Sequence, residues 1–179
     1  MKAKNILFKL FLIFVLLLTG CSDEPTIDNA TMLDGDQIFD ASIYNPGNYL
    51  VSVAIDNPTT IQKNTPVIIA THGYSATTFE WDEFRNHSDM NATALISQVL
   101  LGSHGRTYEE FKNSTWKDWQ TPIMNEYNAL RDKGYININF AGSSTACALM
   151  LDLIKTDKIG ANGLKHIFLI DPIVIPSDK

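Results

Sequence analysis

The residues best suited to covalent chemistry lie at Gly142-Ser143-Ser144-Thr145-Ala146. The order small, any, nucleophile, any, small is that of a nucleophile elbow. There a serine rides a strained turn between a strand and a helix, and its flanks must be small so that the backbones can approach. Ser144 is the candidate nucleophile, with Gly142 and Ala146 as the small flanks; alanine at 146 replaces a commoner second glycine. The chemistry would be acyl transfer. A second cluster, Thr71-His72-Gly73-Tyr74, stands about seventy residues upstream. A serine hydroxyl is a poor nucleophile without an adjacent base, so the placing of the 4 histidines matters. His87 and His104 read as surface or turn residues. No His-x-x-x-His or carboxylate spacing supports a metal site, and no cofactor is required.

An elbow needs a strand before it and a helix after it. Ile136 to Ala141 reads as the strand and Thr145 to Ile154 as an apolar helix, with only Gly142-Ser143-Ser144 between them. Val67 to Ala70, after Pro66, has the short continuous apolar run of a buried parallel strand and leads straight into His72. Asp118 to Lys133 is a helix candidate, because Ile123, Tyr127 and Leu130 fall on one face and Gly134 sits at its stop. Phe79 to Phe84 suggests a short helix, Asn91 to Leu101 a further apolar stretch, and His166 to Ile170 a last strand. Asn48 to Asp56 alternates apolar and polar residues and predicts a half-buried strand. Strands alternating with helices predict an α/β fold, a mostly parallel sheet with flanking helices.

Taken together, Thr71-His72-Gly73-Tyr74, Ser103-His104-Gly105, Trp116-Lys117-Asp118-Trp119, Gly134-Tyr135 and Gly142-Ser143-Ser144 follow one order and spacing. In these the chain resembles the carboxylesterase and monoacylglycerol-lipase branch of the α/β-hydrolases, over roughly residues 65 to 175. The resemblance implies a serine-dependent hydrolase of carboxylic esters. It implies an oxyanion hole made by the backbone N–H groups of Tyr74 and Thr145, with His72 and Gly73 shaping the loop and His72 not acting as base. In that fold the acid and then the histidine follow the serine. After Ser144 only His166 remains, at the start of a strand and so at the wrong end of the sheet. Asp171 ends that strand on the correct edge and is a candidate acid; its plainer role is to turn the chain before Pro172. The resemblance therefore implies an α/β-hydrolase fold incomplete at the C-terminus, with the catalytic histidine beyond Lys179 and residues 1–179 inactive alone. The rival reading is a non-catalytic binding or scaffold module of the same shape. Trp116 and Trp119 read as packing residues whose segment borders a substrate pocket.

Residues 1–20 carry three lysines and no acid around the apolar run Ile6 to Leu18. This is the anatomy of a secretory signal. Leu18-Thr19-Gly20-Cys21 resembles a bacterial lipobox, which implies a lipidated Cys21 that holds the protein at a membrane. The expected organisation is a signal at 1–20, an acidic tether at 21–42 and a partial hydrolase domain at 43–179. The expected location is the bacterial cell envelope, at the outer membrane or cell surface; Ser22-Asp23-Glu24 resembles an acidic export tag, though a plain linker explains it as well. Only Cys147 remains after the anchor, in an apolar stretch suited to a buried thiol. A net charge of -6 and a pI near 5.1 leave no basic surface for nucleic acid. The expected partner is a small ester or lipid-like substrate.

Overall fold

The computed structural model describes residues 44–160 and 162–173. The signal at 1–20, the lipidation site Cys21 and the tether at 21–42 lie outside the described residues. The described chain runs α1 (Val51–Ala54), α2 (Thr60–Asn64), β1 (Val67–Thr71), a 3-10 turn at Thr78–Trp81, α3 (Asp82–Asn86) and α4 (Ser88–Thr93). It continues with β2 (Leu95–Val99), α5 (Tyr108–Lys112), α6 (Trp116–Asp132), β3 (Ile138–Ser143), α7 (Thr145–Lys155) and β4 (Ile167–Ile170). The four strands form one sheet in the order β2-β1-β3-β4, and every neighbouring pair is parallel. The α/β class expected from the alternation of elements is the one observed.

β1 is buried along its whole length, as befits a strand covered on both faces. Its side chains sort by the two-residue period of a strand. Val67 and Ile69 join the larger core cluster, with Ile138 and Phe140 of β3, Ile123 and Leu130 of α6, and Met150 and Leu153 of α7. Ile68 and Ala70 join the smaller one, with Trp81, Ile96 and Ala141. Helices α6 and α7 thus cover one face, and the segment around α3 and α4 covers the other.

α6 starts at a capping box: the Thr115 hydroxyl accepts from the Asp118 amide while the Asp118 carboxylate accepts from the Thr115 amide. Its end is equally local in origin. Gly134 takes φ +83°, the Gly134 amide donates to Arg131 and the Tyr135 amide to Leu130. These two bonds satisfy the last carbonyls in a Schellman arrangement.

The strand expected over 48–56 is not formed. Pro46–Asn48 makes a 3-10 turn and α1 follows it. The reason is a buried carboxylate on another element. Glu126 of α6 accepts from the Ser52 amide at 3.1 Å, from the Ser97 hydroxyl at 2.5 Å and from the Ser52 hydroxyl. The Ser97 hydroxyl also accepts from the Val51 amide at 2.9 Å. Turning the segment into a helical turn gives this carboxylate its donors; an extended backbone would not present them together.

Candidate active site

Because the sheet is parallel and in register, the carboxyl ends of its strands share one edge. Thr71 is opposite both Val99 and Gly142, and Ser143 is opposite Ile170. The loops that leave that edge carry His72-Gly73-Tyr74, Leu101 to His104, Ser144 and Asp171. Such an edge is where open α/β sheets bind ligands.

Ser144 stands between β3 and α7 with φ 49° and ψ -112°. A side chain at positive φ is strained, and strain of that kind persists only where the surroundings enforce it. Here they do. The Ser144 amide donates to the Ile170 carbonyl at 3.0 Å. A Cβ added at Gly142 would stand 2.7 Å from Phe140 Cζ and 3.3 Å from the Ala146 carbonyl carbon, so the approach on this side of the turn requires glycine at 142. Ala146 is fully buried beneath the turn.

A serine just before a helix ordinarily caps it with its hydroxyl. Thr59, Thr77, Thr107 and Thr115 all do so in this chain, accepting from the amide two or three residues on. Ser144 makes no such bond. Its backbone angles lift the hydroxyl off the helix end, and among the described residues that hydroxyl has no hydrogen-bond partner. The Ser144 side chain is half-buried and rests against the loop after β1: a Cβ built on Gly73 would lie 3.2 Å from Ser144 Cβ. A side chain at 73 would crowd the serine, so glycine there eases the close approach. The Tyr74 and Thr145 amides, next along from Gly73 and Ser144, donate to no acceptor among the described residues. For Thr145 the cause is general, since the first amides of a helix have no partner within it.

His72 is fully buried and both ring nitrogens are engaged. Nε2 accepts from the Leu101 amide at 3.0 Å, which puts the proton on Nδ1, where it donates to the Gly73 carbonyl at 2.9 Å. Burial first, and then the neighbouring His104, push its pKa down to about 3, against the pull of its bond to Gly73. His72 is therefore a neutral brace between two loops.

His104 sits in a turn, one of the two places expected for it, but it is not at the surface: it is only 1% exposed. Its ring packs edge-on against His72, Phe111 and Trp119, and Tyr74 meets Phe111 and Trp119 in the same cluster. Aromatic burial outweighs the turn's usual preference for the surface. Burial also lowers the His104 pKa, against its bond to the Gly102 carbonyl.

His166 lies before β4, with Nδ1 at 2.9 Å from the Asn139 side-chain oxygen. Asn139 is five residues upstream of Ser144, roughly 16 Å away along an extended strand. The structure keeps His166 apart from the serine, as its sequence position suggests. Asp171 follows the residue whose carbonyl takes the Ser144 amide, and it is exposed at φ 47°. Cys147 is fully buried one turn below Ser144, where burial, above all, raises its pKa and the Asp171 and Glu80 carboxylates add to the shift.

Glu80 also belongs to the site, without a signal in the sequence. Its carboxylate accepts from the Gly73 amide at 2.9 Å and so fixes the loop beside Ser144. It is delivered there by the Thr78–Trp81 turn, which Gln98 of β2 ties down through the Thr78 carbonyl at 2.9 Å and the Asp82 carboxylate at 2.7 Å. No local pattern announces this contact, because it depends on a loop folding back on itself.

Trp116 and Trp119 line a cleft of about 430 Å³ that opens beside Thr145. Trp119 is held by stacking on Phe111 and by its indole N–H, which donates to the Ser114 hydroxyl at 2.7 Å.

No protein-family model matches the sequence. No curated protein matches it either. Among solved structures, the chain is similar to one described with LipS and LipT, two metagenome-derived lipolytic enzymes. The TM-score is 0.50 at 20% identity, over 64% of this chain and 45% of that one. The chain thus spans less than half the length of this neighbour. The likeness is one of fold: the all-parallel sheet with flanking helices is an α/β-hydrolase fold, of which the described residues form a part.

Proposed function

We propose that this chain is the front part of a serine-dependent hydrolase of carboxylic esters, close in kind to the carboxylesterases and monoacylglycerol lipases, with Ser144 as nucleophile. One observation carries the reading: a helix-preceding serine held at positive φ, its hydroxyl not spent on capping, packed against the glycine of the His-Gly-Tyr loop. The lipolytic neighbour supports an ester or lipid-like substrate.

In this reading Ser144 Oγ attacks the ester carbonyl carbon and a base takes the hydroxyl proton. The carbonyl electron pair becomes an oxyanion that accepts from the Tyr74 and Thr145 amides. Collapse expels the alcohol, which leaves with the proton, and water then releases the acid from Ser144. Each hole donor contributes about 2.7–4 kcal/mol to the transition state. His72 is the positioning residue for the loop. Neither His72, with both nitrogens engaged, nor His166, bound to Asn139, suits the role of base. That role falls to a histidine outside these 179 residues, with Asp171 as a candidate acid. Anchoring through a lipidated Cys21 at the cell envelope is part of the same proposal.

The test is labelling of the intact protein by a fluorophosphonate probe with the site mapped by mass spectrometry. The label is expected on Ser144 and lost in Ser144→Ala. An intact protein that takes no label there would instead favour the non-catalytic module. Residues 1–179 alone are expected to turn over no p-nitrophenyl ester at a useful rate. Turnover abolished by Ser144→Ala would show that a sufficient base lies within the chain.

A further inference from the structure

The cleft beside Thr145 has a direction. Thr145, Leu149 and Asp152 lie along one face of α7, at i, i+4 and i+7. Seven residues of helix span about 10 Å, the length of roughly eight bonds of an extended chain. Ala148, Trp116, Trp119 and Ile173 complete the lining. A pocket of this size is ordinary for a small-molecule site. Its far end is not apolar. Asp152 is half-buried there, and its carboxylate accepts from the Gln120 side-chain amide at 2.9 Å. Among the described residues no lysine or arginine pairs with it. A carboxylate with no paired cation leaves negative potential at that end of the cleft, which attracts a positive charge.

We infer that this cleft takes the apolar arm of the substrate and that the arm ends in an ammonium group, with Asp152 as the residue that selects it. The inference rests on the reading of Ser144 as nucleophile, because Thr145, whose amide is proposed to hold the oxyanion, lines the cleft. The substrate class becomes an ester whose aliphatic chain, about eight bonds from the carbonyl, carries a positive charge.

The test measures binding, so it does not depend on turnover. The 179-residue chain is titrated with n-hexylammonium, n-hexanol and hexanoate while tryptophan fluorescence reports on Trp116 and Trp119. Hexylammonium is expected to bind at least tenfold more tightly than hexanoate, with hexanol between them and the preference shrinking as salt is raised. Asp152→Asn should bring the three probes within about threefold of one another. Ala148→Trp, which fills the cleft and leaves Asp152 in place, should weaken all three, and Ser144→Ala should change none. Equal binding of hexanoate, a preference that survives Asp152→Asn in a folded variant, or no saturable binding by any probe would overturn the inference. A missing fluorophosphonate label on the intact protein with the ammonium preference intact would sink the Ser144 reading alone.

Discussion

His72 shows how one side chain couples the site to the stability of the fold. Its ring is neutral because it is buried and because Nε2 must accept from Leu101. The unfolded chain binds a proton there near pH 6.5, and the folded chain only near pH 3. Between those values the unfolded state holds more protons, so stability rises with pH and is lost on acidification. One such proton changes stability by about 1.4 kcal/mol per pH unit. The resistance of the 179-residue chain to urea should therefore fall from pH 7 to pH 5. His72→Asn should be less stable at pH 7 but flatter with pH, keeping the share that His104 contributes. A slope unchanged by His72→Asn would show that the ring is not held neutral by the fold. Ser144 makes the complementary point. Serine before a helix is common, and what distinguishes this one is that its hydroxyl is left free by the backbone angles.

At the scale of elements, the site depends on helices being held at fixed points by buried contacts. Gly102 permits one of these. A Cβ there would collide with the Asp118 carbonyl oxygen in the first turn of α6. Gly102→Ala should cost about 1–3 kcal/mol, as overpacking does, and should disturb Trp119 and the cleft it lines. Glu126 provides another. Glu126→Ala removes the acceptor of two serine hydroxyls and one amide. Leaving buried donors unmet costs about 1–3 kcal/mol. Denaturant melts should show both losses, and Glu126→Ala should release α1 while the strands persist in circular dichroism.

At the scale of the whole molecule, the sheet is covered unequally. The three strands from β2 to β3 are largely buried, but in β4 Ile167, Phe168, Leu169 and Ile170 are 38%, 52%, 37% and 50% exposed. Alternate residues of a strand point to opposite faces, so both faces of β4 are bare, and Asp171 sits at the end of this uncovered strand. An apolar strand open to water on both faces promotes association. The 179-residue chain should scatter light increasingly with concentration, and Phe168→Lys should reduce that scattering without changing the secondary structure. A chain that stays monomeric at high concentration would show that β4 is covered by some other means.

Local chemistry determined much of this in advance. The apolar run of β1, the period of α6, the glycine stop at 134 and the small residues around Ser144 are signals a few residues long, and each fell where its pattern pointed. The α/β order of elements followed from them. What needed the tertiary structure were contacts across long stretches of chain. Glu126 turned a segment with strand-like alternation into a helical turn, and an aromatic cluster drew His104 inside. A doubled-back loop brought Glu80 to Gly73, and Trp116 and Trp119 of α6 came to line one cleft with Thr145 and Asp152 of α7. Each is decided by which groups must find partners once water is excluded, and sequence neighbours alone do not say who those partners are.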